Sequence, residues 1–339
     1  MNSVRFSVMM YLKAGEKSIL PETARRSTGE MTEKQFHFPT YLKEEIQKVR
    51  ESYYPVRVNM FTRLTKKKED PGKLHPNPDD EFCFQEIGPN YSIIAQYEAA
   101  FRRFMEFSGD HFYAGTDNGF DTDGIREPLI VQKSRPDGYL ILNGHHRWAA
   151  ALKMAVPKVK IKIVNLTQLK DVRSMLAHTR SDRRVTIDLD EVVFTAEGEM
   201  EKPLPFPLNR FFTERVRKGI PALLHTLVKK GYDIWVYSAG YYSMDYIRHY
   251  FKVWNIRPAG IVTGLGRKIK RDAEADHEIK KLIDTKYNST VHIDMNLVLR
   301  TFSGSKESEE YPLSGSPDSW IREVTEVITA LAKKDGKQS

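Results

Sequence analysis

The sequence predicts an α/β protein of two domains, an α+β domain followed by one built on a parallel sheet. Three observations carry this. A Pro136-Asp137-Gly138 turn separates two β-rich runs, the second of which leads directly into an alanine-rich helix. From Arg183 onward, short apolar strands alternate with amphipathic helices, the pattern of a parallel sheet covered on both faces. The chain's 339 residues also exceed one ordinary domain.

Taken in order, residues 1–80 are the least regular part and read as an N-terminal extension. Lys66-Lys67-Lys68, Asp70-Pro71-Gly72 and His75-Pro76-Asn77-Pro78 punctuate it with turns and charge. Leu42, Ile46 and Val49, spaced i, i+4, i+7, predict one short helix over 41–53. The first domain spans 81–172. It opens with a helix over 93–107, in which Ile94, Tyr97, Phe101 and Phe104 share a face. A hairpin of 128–131 and 139–142 follows, then a helix over 148–154 and a strand over 159–164. The second domain spans 180–339, with strands at 185–187, 234–237, 260–262 and 290–293. Helices over 220–230, 243–254 and 274–284 separate them, and a last helix over 318–333 lines up Ile321, Val324, Ile328 and Leu331. Ser303 to Pro317, rich in Ser, Gly, Glu and Pro, reads as an exposed loop.

Composition bounds the function classes. Hydrophobic residues make up 40% of the chain and aromatics 11%, enough to build cores and to exclude wholesale disorder. No apolar run approaches the roughly 20 residues of a membrane helix, so no membrane partner is expected. The Val8–Leu12 run is short, meets Lys13 and lacks a small-x-small cleavage site, so a cytoplasmic setting is expected. The single cysteine, Cys83, excludes a disulfide framework and any multi-cysteine metal site. A net charge of +8 is compatible with a polyanionic partner, whether nucleic acid or nucleotide.

The first chemical site is Asn143-Gly144-His145-His146-Arg147, between a strand and a helix. A glycine there lets the backbone approach a ligand closely, and the helix that follows points unpaired N–H groups at the same place. Arg147 offers a fork suited to phosphate oxygens, and His145 and His146 add donors. A surface turn whose histidines cap the helix fits the same residues.

Asp137 to Leu152, read as Asp-Gly-Tyr-Leu-Ile-Leu-Asn-Gly-His-His-Arg-Trp-Ala-Ala-Ala-Leu, resembles the central motif of the ParB/sulfiredoxin superfamily. Ile125-Arg126-Glu127-Pro128 upstream and the strand over 159–164 extend the likeness to about 80–90 residues. The resemblance implies an α+β domain that binds the phosphates of ATP, ADP or CTP at Asn143 to Arg147. Sulfiredoxins carry cysteine where His145 stands, and partition proteins continue into a helical DNA-binding region, which is not the pattern here. The His-His-Arg form is closest to the free-serine kinases. That likeness implies transfer to a small hydroxylated acceptor, with Mg²⁺ and a base from the acidic stretch holding Asp79, Asp80, Glu81 and Glu86. The bland reading of that stretch is a solvated loop.

The second chemical site is Asp188-Leu189-Asp190-Glu191-Val192, two carboxylates at the end of an apolar strand. A carboxylate nucleophile, a neighbouring acid/base and a metal make a workable phosphoryl-transfer site, and an exposed strand end explains the same residues. From Arg183 to Phe302 the sequence resembles the haloacid dehalogenase-like (HAD) phosphatases, with a Rossmann-like fold. The resemblance implies Asp188 as nucleophile and Asp190 as general acid/base, with Ser238 of Val236-Tyr237-Ser238-Ala239-Gly240 holding the phosphate. It implies Mg²⁺ at Asp188, Asp190 and Asp294, the last within His292-Ile293-Asp294-Met295-Asn296, where Met295 replaces a frequent second acid. Lys270 and Lys268, ahead of Lys280 and Lys281, are the candidates for the charge-balancing third motif. Tyr241-Tyr242-Ser243 resembles the branch acting on phosphoproteins, and the short stretch from Glu197 to Phe206 stands where a substrate-selecting insertion belongs.

The expectation is therefore a phosphotransfer enzyme: a nucleotide-binding or kinase domain joined to a Mg²⁺-dependent phosphatase that acts on a phosphorylated substrate. The alternative is a nucleic-acid-associated regulator or polynucleotide end-processing protein, for which Arg63 and Lys66 to Lys68 would converge with Arg267, Lys268, Lys270 and Arg271.

Overall fold

The computed structural model describes residues 37–108, 123–194, 198–264, 278, 281–314 and 316–335. The chain divides into two compact units, Met1–Val164 and Asn165–Ser339. The architecture is mixed α/β, with parallel and antiparallel pairing in both sheets. Among the described residues, no helix is long and apolar enough to cross a membrane.

The described strands of the first unit are β1 (Tyr54–Pro55), β2 (Lys68–Glu69), β3 (Leu74–His75), β4 (Leu129–Arg135), β5 (Tyr139–Asn143) and β6 (Val159–Ile163). They lie in the order β2-β6-β4-β5-β3, with β1 on β4. β4 and β5 pair antiparallel around the Pro-Asp-Gly turn, as a hairpin must, while β4 with β6 and β3 with β5 are parallel. Strand β6 alternates buried Val159, Ile161 and Ile163 with exposed Lys160 and Lys162, so one face of the sheet is the core face. Against it lies the helix His145–Lys153, whose Trp148, Ala149, Ala150 and Ala151 are all wholly buried.

The sequence sets residues 1–80 apart, yet the described part of them supplies core and sheet to this unit. Helix Phe38–Ser52 buries Phe38, Leu42 and Val49, and the Phe38 ring lies 6.1 Å from that of Trp148. Leu74 and Phe82 join the same cluster. The Trp148 indole N–H donates to the Pro71 carbonyl at 3.0 Å. Strands β1 to β3 have two residues each, too short for alternation to show in a sequence.

In the second unit, β7 (Arg183–Asp188), β8 (Asp233–Ser238), β9 (Gly260–Thr263) and β10 (Ser289–Ile293) are parallel, in the order β10-β7-β8-β9. Helices Ile220–Lys229, Met244–Val253 and Trp320–Asp335 share one core cluster with Val185, Ile187, Val236 and Val291. Trp235, Val262 and Tyr287 cluster instead with Val172 of helix Leu169–Ala177 and with Ile283. Neighbouring residues of β8, Trp235 and Val236, thus belong to different clusters, as alternation on a sheet covered on both faces requires.

The stretch from Ser303 to Pro317 corrects an expectation. It is not all loop: β12 (Ser308–Pro312) pairs antiparallel with β11 (Leu297–Phe302), which extends the sheet beyond β10. Ser308, Glu310 and Pro312 are exposed at this edge, the polar spelling by which edge strands resist further pairing. Glu309 is held by Lys334 and lies 3.8 Å from Arg300.

Gly260 is where β9 meets the Trp235 ring, and a Cβ there would lie 2.0 Å from Trp235 Cδ2. Gly260→Ala is expected to destabilise the protein by roughly 1–3 kcal/mol through overpacking. The measurement is a lower denaturant midpoint at unchanged m-value.

Candidate functional site

In the first unit, Gly144 precedes the helix His145–Lys153 with φ +97°. A Cβ there would lie 2.5 Å from Leu129 Cδ2, so both conformation and space call for glycine. The four side chains that follow each bind a different stretch of this unit. His145 Nε2 accepts from the Asn77 N–H at 3.2 Å, and its Nδ1 lies 3.4 Å from Asp80 Oδ1. His146 Nε2 accepts from the Asn90 N–H at 3.0 Å. The Arg147 guanidinium donates to the Glu127 carbonyl at 3.0 Å and lies 3.7 Å from its carboxylate. Trp148 reaches Pro71, as described above. Phe82 stacks on His145 and stands edge-on to His146.

The motif side chains are therefore braces. Arg147 is buried and engaged with Glu127, so the fork expected to meet phosphate is turned into the protein. Trp148 is the first residue of this helix whose N–H returns to a helical carbonyl, that of Gly144. The N–H groups of His145, His146 and Arg147 precede the first possible intrahelical bond. Exposed Asn143 stands beside them. Of the expected bases, Glu81 and Glu86 are exposed, and the carboxylate brought to the motif is Asp80.

In the second unit, adjacent parallel strands gather the predicted residues at their carboxyl ends. Asp188 ends β7 opposite Tyr237 of β8, the residue before Ser238, and Asp294 follows Ile293, the partner of Ile187. A π-helical turn, Leu189–Val193, follows Asp188, whose carboxylate accepts from the Glu191 N–H at 2.7 Å. The Asp190 carboxylate accepts from Ser238 Oγ at 2.8 and 3.0 Å and from the N–H groups of Ala239 at 3.0 Å and Gly240 at 3.3 Å. One hydroxyl and two amides thus form a cradle that already holds an anion. Burial, and then Asp190 and Asp294, push the Asp188 carboxyl above its ordinary pKa.

The three aspartates do not form a ready-made metal cage. Among the described residues no group of three or more His, Cys, Asp or Glu side chains is placed to hold a metal ion. Asp190 is turned into the cradle, which leaves Asp188 and exposed Asp294 as carboxylate ligands. Burial first, and the neighbouring negative charge after it, raise Asp188, and that part due to charge is the kind a divalent cation would offset. Lys268, Lys270 and Lys280 lie outside the described residues, as do Arg267 and Arg271, and Lys281 is exposed. Tyr242, quoted from the sequence only for a family likeness, stands at the cradle: its Cε2 is 3.2 Å from the point where a Gly240 Cβ would be.

Residues 116–179 match the ParB N-terminal domain family, and the match contains Asn143 to Arg147. The chain carries a ParB-like domain. No curated protein and no solved structure matches the chain. The strand, glycine and helix of the ParB-like domain are therefore those of β5, Gly144 and His145–Lys153.

Burial holds the pKa of His145 down to about 4, with Asp80 pulling weakly the other way. The unfolded chain takes up that proton near its ordinary 6.5, so the stabilisation is complete above 6.5 and is lost as pH falls toward 4. His292 in the second unit behaves in the same sense. His145→Gln keeps an acceptor for Asn77. It is expected to reduce the stability lost between pH 7 and pH 4.5 by on the order of 1–3 kcal/mol, with the His292 contribution common to both proteins. Denaturant unfolding at the two pH values measures this, and equal losses in variant and wild type would contradict it.

Proposed function

We propose that this chain is a phosphotransfer enzyme in which a nucleotide-binding ParB-like unit is joined to a Mg²⁺-dependent phosphatase of the HAD type. The observation that carries the phosphatase reading is the cradle of Ser238 Oγ and the Ala239 and Gly240 amides, which holds a carboxylate beside Asp188. An oxyanion site next to a second, poised carboxylate is what phosphoryl transfer through an aspartyl-phosphate requires.

In this reading a phosphate monoester takes the cradle and displaces the Asp190 carboxylate. A monoester arriving as its monoanion passes its proton to Asp190 as it displaces that carboxylate; Asp188 attacks phosphorus, the bond to the ester oxygen breaks, and Asp190 gives the proton to the leaving oxygen. Asp190, now a carboxylate, takes a proton from a water that attacks the aspartyl-phosphate, which releases inorganic phosphate and restores Asp188. Asp188 and Asp294 would hold Mg²⁺, which would offset the mutual repulsion of the anions. Lys268 or Lys270 is proposed for the remaining positive charge.

For the first unit we propose that the helix start at Gly144 binds the phosphates of ATP, ADP or CTP through backbone N–H groups, with Arg147 holding the loop from behind. The match over 116–179 and the inward-turned Arg147 both support this.

Two outcomes test these assignments. With a generic aryl phosphate and Mg²⁺, Asp188→Asn is expected to lower turnover on the order of 10³-fold or more, and Ser238→Ala about 10²–10³-fold. Activity indifferent to Asp188→Asn sinks the phosphatase assignment. In calorimetric titrations with ATP, ADP and CTP, Asn143→Asp sets a negative charge beside the bound phosphates and is expected to weaken binding about tenfold. Because Asn143 is exposed, the fold is spared, and unchanged affinity would move the nucleotide elsewhere.

A further inference from the structure

One aromatic ring, that of Tyr242, borders the cradle in the second unit. The point where a Gly240 Cβ would stand is 3.1 Å from Ser238 Oγ, 3.3 Å from Asp190 Oδ1 and 3.2 Å from Tyr242 Cε2. The Tyr242 ring therefore meets the same small space as the phosphate-holding hydroxyl and the displaced carboxylate. Other rings fix its position: Phe194 lies 5.7 Å away at 52°, and Tyr246 lies parallel at 6.4 Å. Tyr246 is anchored in turn by Phe212 at 5.4 Å and by a hydrogen bond from its hydroxyl to Glu214. Tyr242 itself is only half-buried, and its hydroxyl has no hydrogen-bond partner among the described residues. Burial, Glu214 and Asp190 hold its phenol protonated, with a pKa of about 12, so the ring adds no charge against an incoming phosphate.

A group joined to phosphorus through the ester oxygen leaves the cradle beside this ring. A charged or polyol group would there meet aromatic edges in place of the donors it needs, whereas a flat apolar ring gains contact area and an offset or edge-on pairing. We propose that Tyr242 is a specificity-determining residue and that the site selects aryl phosphates, such as a phosphotyrosyl side chain, over alkyl ones. This rests on the phosphatase reading of the same site.

The test uses two non-hydrolysable probes, phenylphosphonate and methylphosphonate, titrated into the full chain with Mg²⁺ present. Wild type and Tyr242→Phe, which keeps the ring, are expected to bind the phenyl compound about five- to tenfold more tightly than the methyl compound. In Tyr242→Ala the ratio is expected to fall to near one. Tyr242→Leu, which preserves apolar bulk without a π-face, gives the same readout should the alanine variant fail to fold. A ratio that survives in the leucine or alanine variant, or a wild-type ratio near one, overturns the inference and leaves the phosphate site standing. Failure of both phosphonates to bind the wild-type chain overturns the phosphatase reading, and this inference with it.

Discussion

Crowded negative charge is the constraint around which the second unit is organised. Asp188, Asp190 and Asp294 come to the ends of adjacent parallel strands, and each carboxylate is met by backbone or hydroxyl donors: Glu191 N–H, the Ser238 cradle, and Met295 N–H. Fixed dipoles of this sort cost no reorganisation when charge develops, unlike a mobile lysine. From the π-helical turn after Asp188, Asp190 reaches Ser238 on the next strand. Relief is still incomplete, since Asp188 stays above its ordinary pKa, partly because of the other two.

The first unit solves a different problem with similar economy. A helix beginning at a glycine needs something to hold its entry, because Gly144 supplies no side-chain cap. His145, His146, Arg147 and Trp148 reach four separate stretches, Asn77, Asn90, Glu127 and Pro71, and fasten them around the helix start. These stretches are otherwise poor in regular structure, and the strands among them have two residues each. The motif is thus a structural hub, and its imidazoles hold protein as capping histidines do.

The long periodic elements were legible from sequence because burial imprints them. The hairpin around Asp137, the parallel strands from Arg183 and the last helix all lie where apolar spacing puts them. Elements held by something other than apolar spacing were not legible. β12 is an edge strand spelled with Ser and Glu, and β1 to β3 owe their pairing to neighbours distant in sequence. At the sites, strand end and spacing named the paired aspartates, and the resemblance to the HAD phosphatases named the cradle serine. It could not tell that Arg147 turns inward, that Asp80 and not Glu81 reaches the motif, or that Asp190 occupies the cradle. Each of these depends on a side-chain direction that no spacing encodes.

The methionine at 295 has a physical logic of its own. An acid there would add a fourth carboxylate beside Asp188, Asp190 and Asp294. Instead the Met295 sulfur accepts from Arg217 at 3.1 Å, and the buried Arg217 guanidinium lies 5.1 Å from the Trp320 ring. Trp320 donates to the Asp294 carbonyl at 3.2 Å, while the Arg217 N–H donates to the Val193 carbonyl at 2.9 Å. Arg217 thus joins the turn that carries Asp190 to the loop that carries Asp294, and does so with a full positive charge in a low-dielectric setting. A neutral, polarisable sulfur packs against the arginine and adds no further negative charge beside the three aspartates.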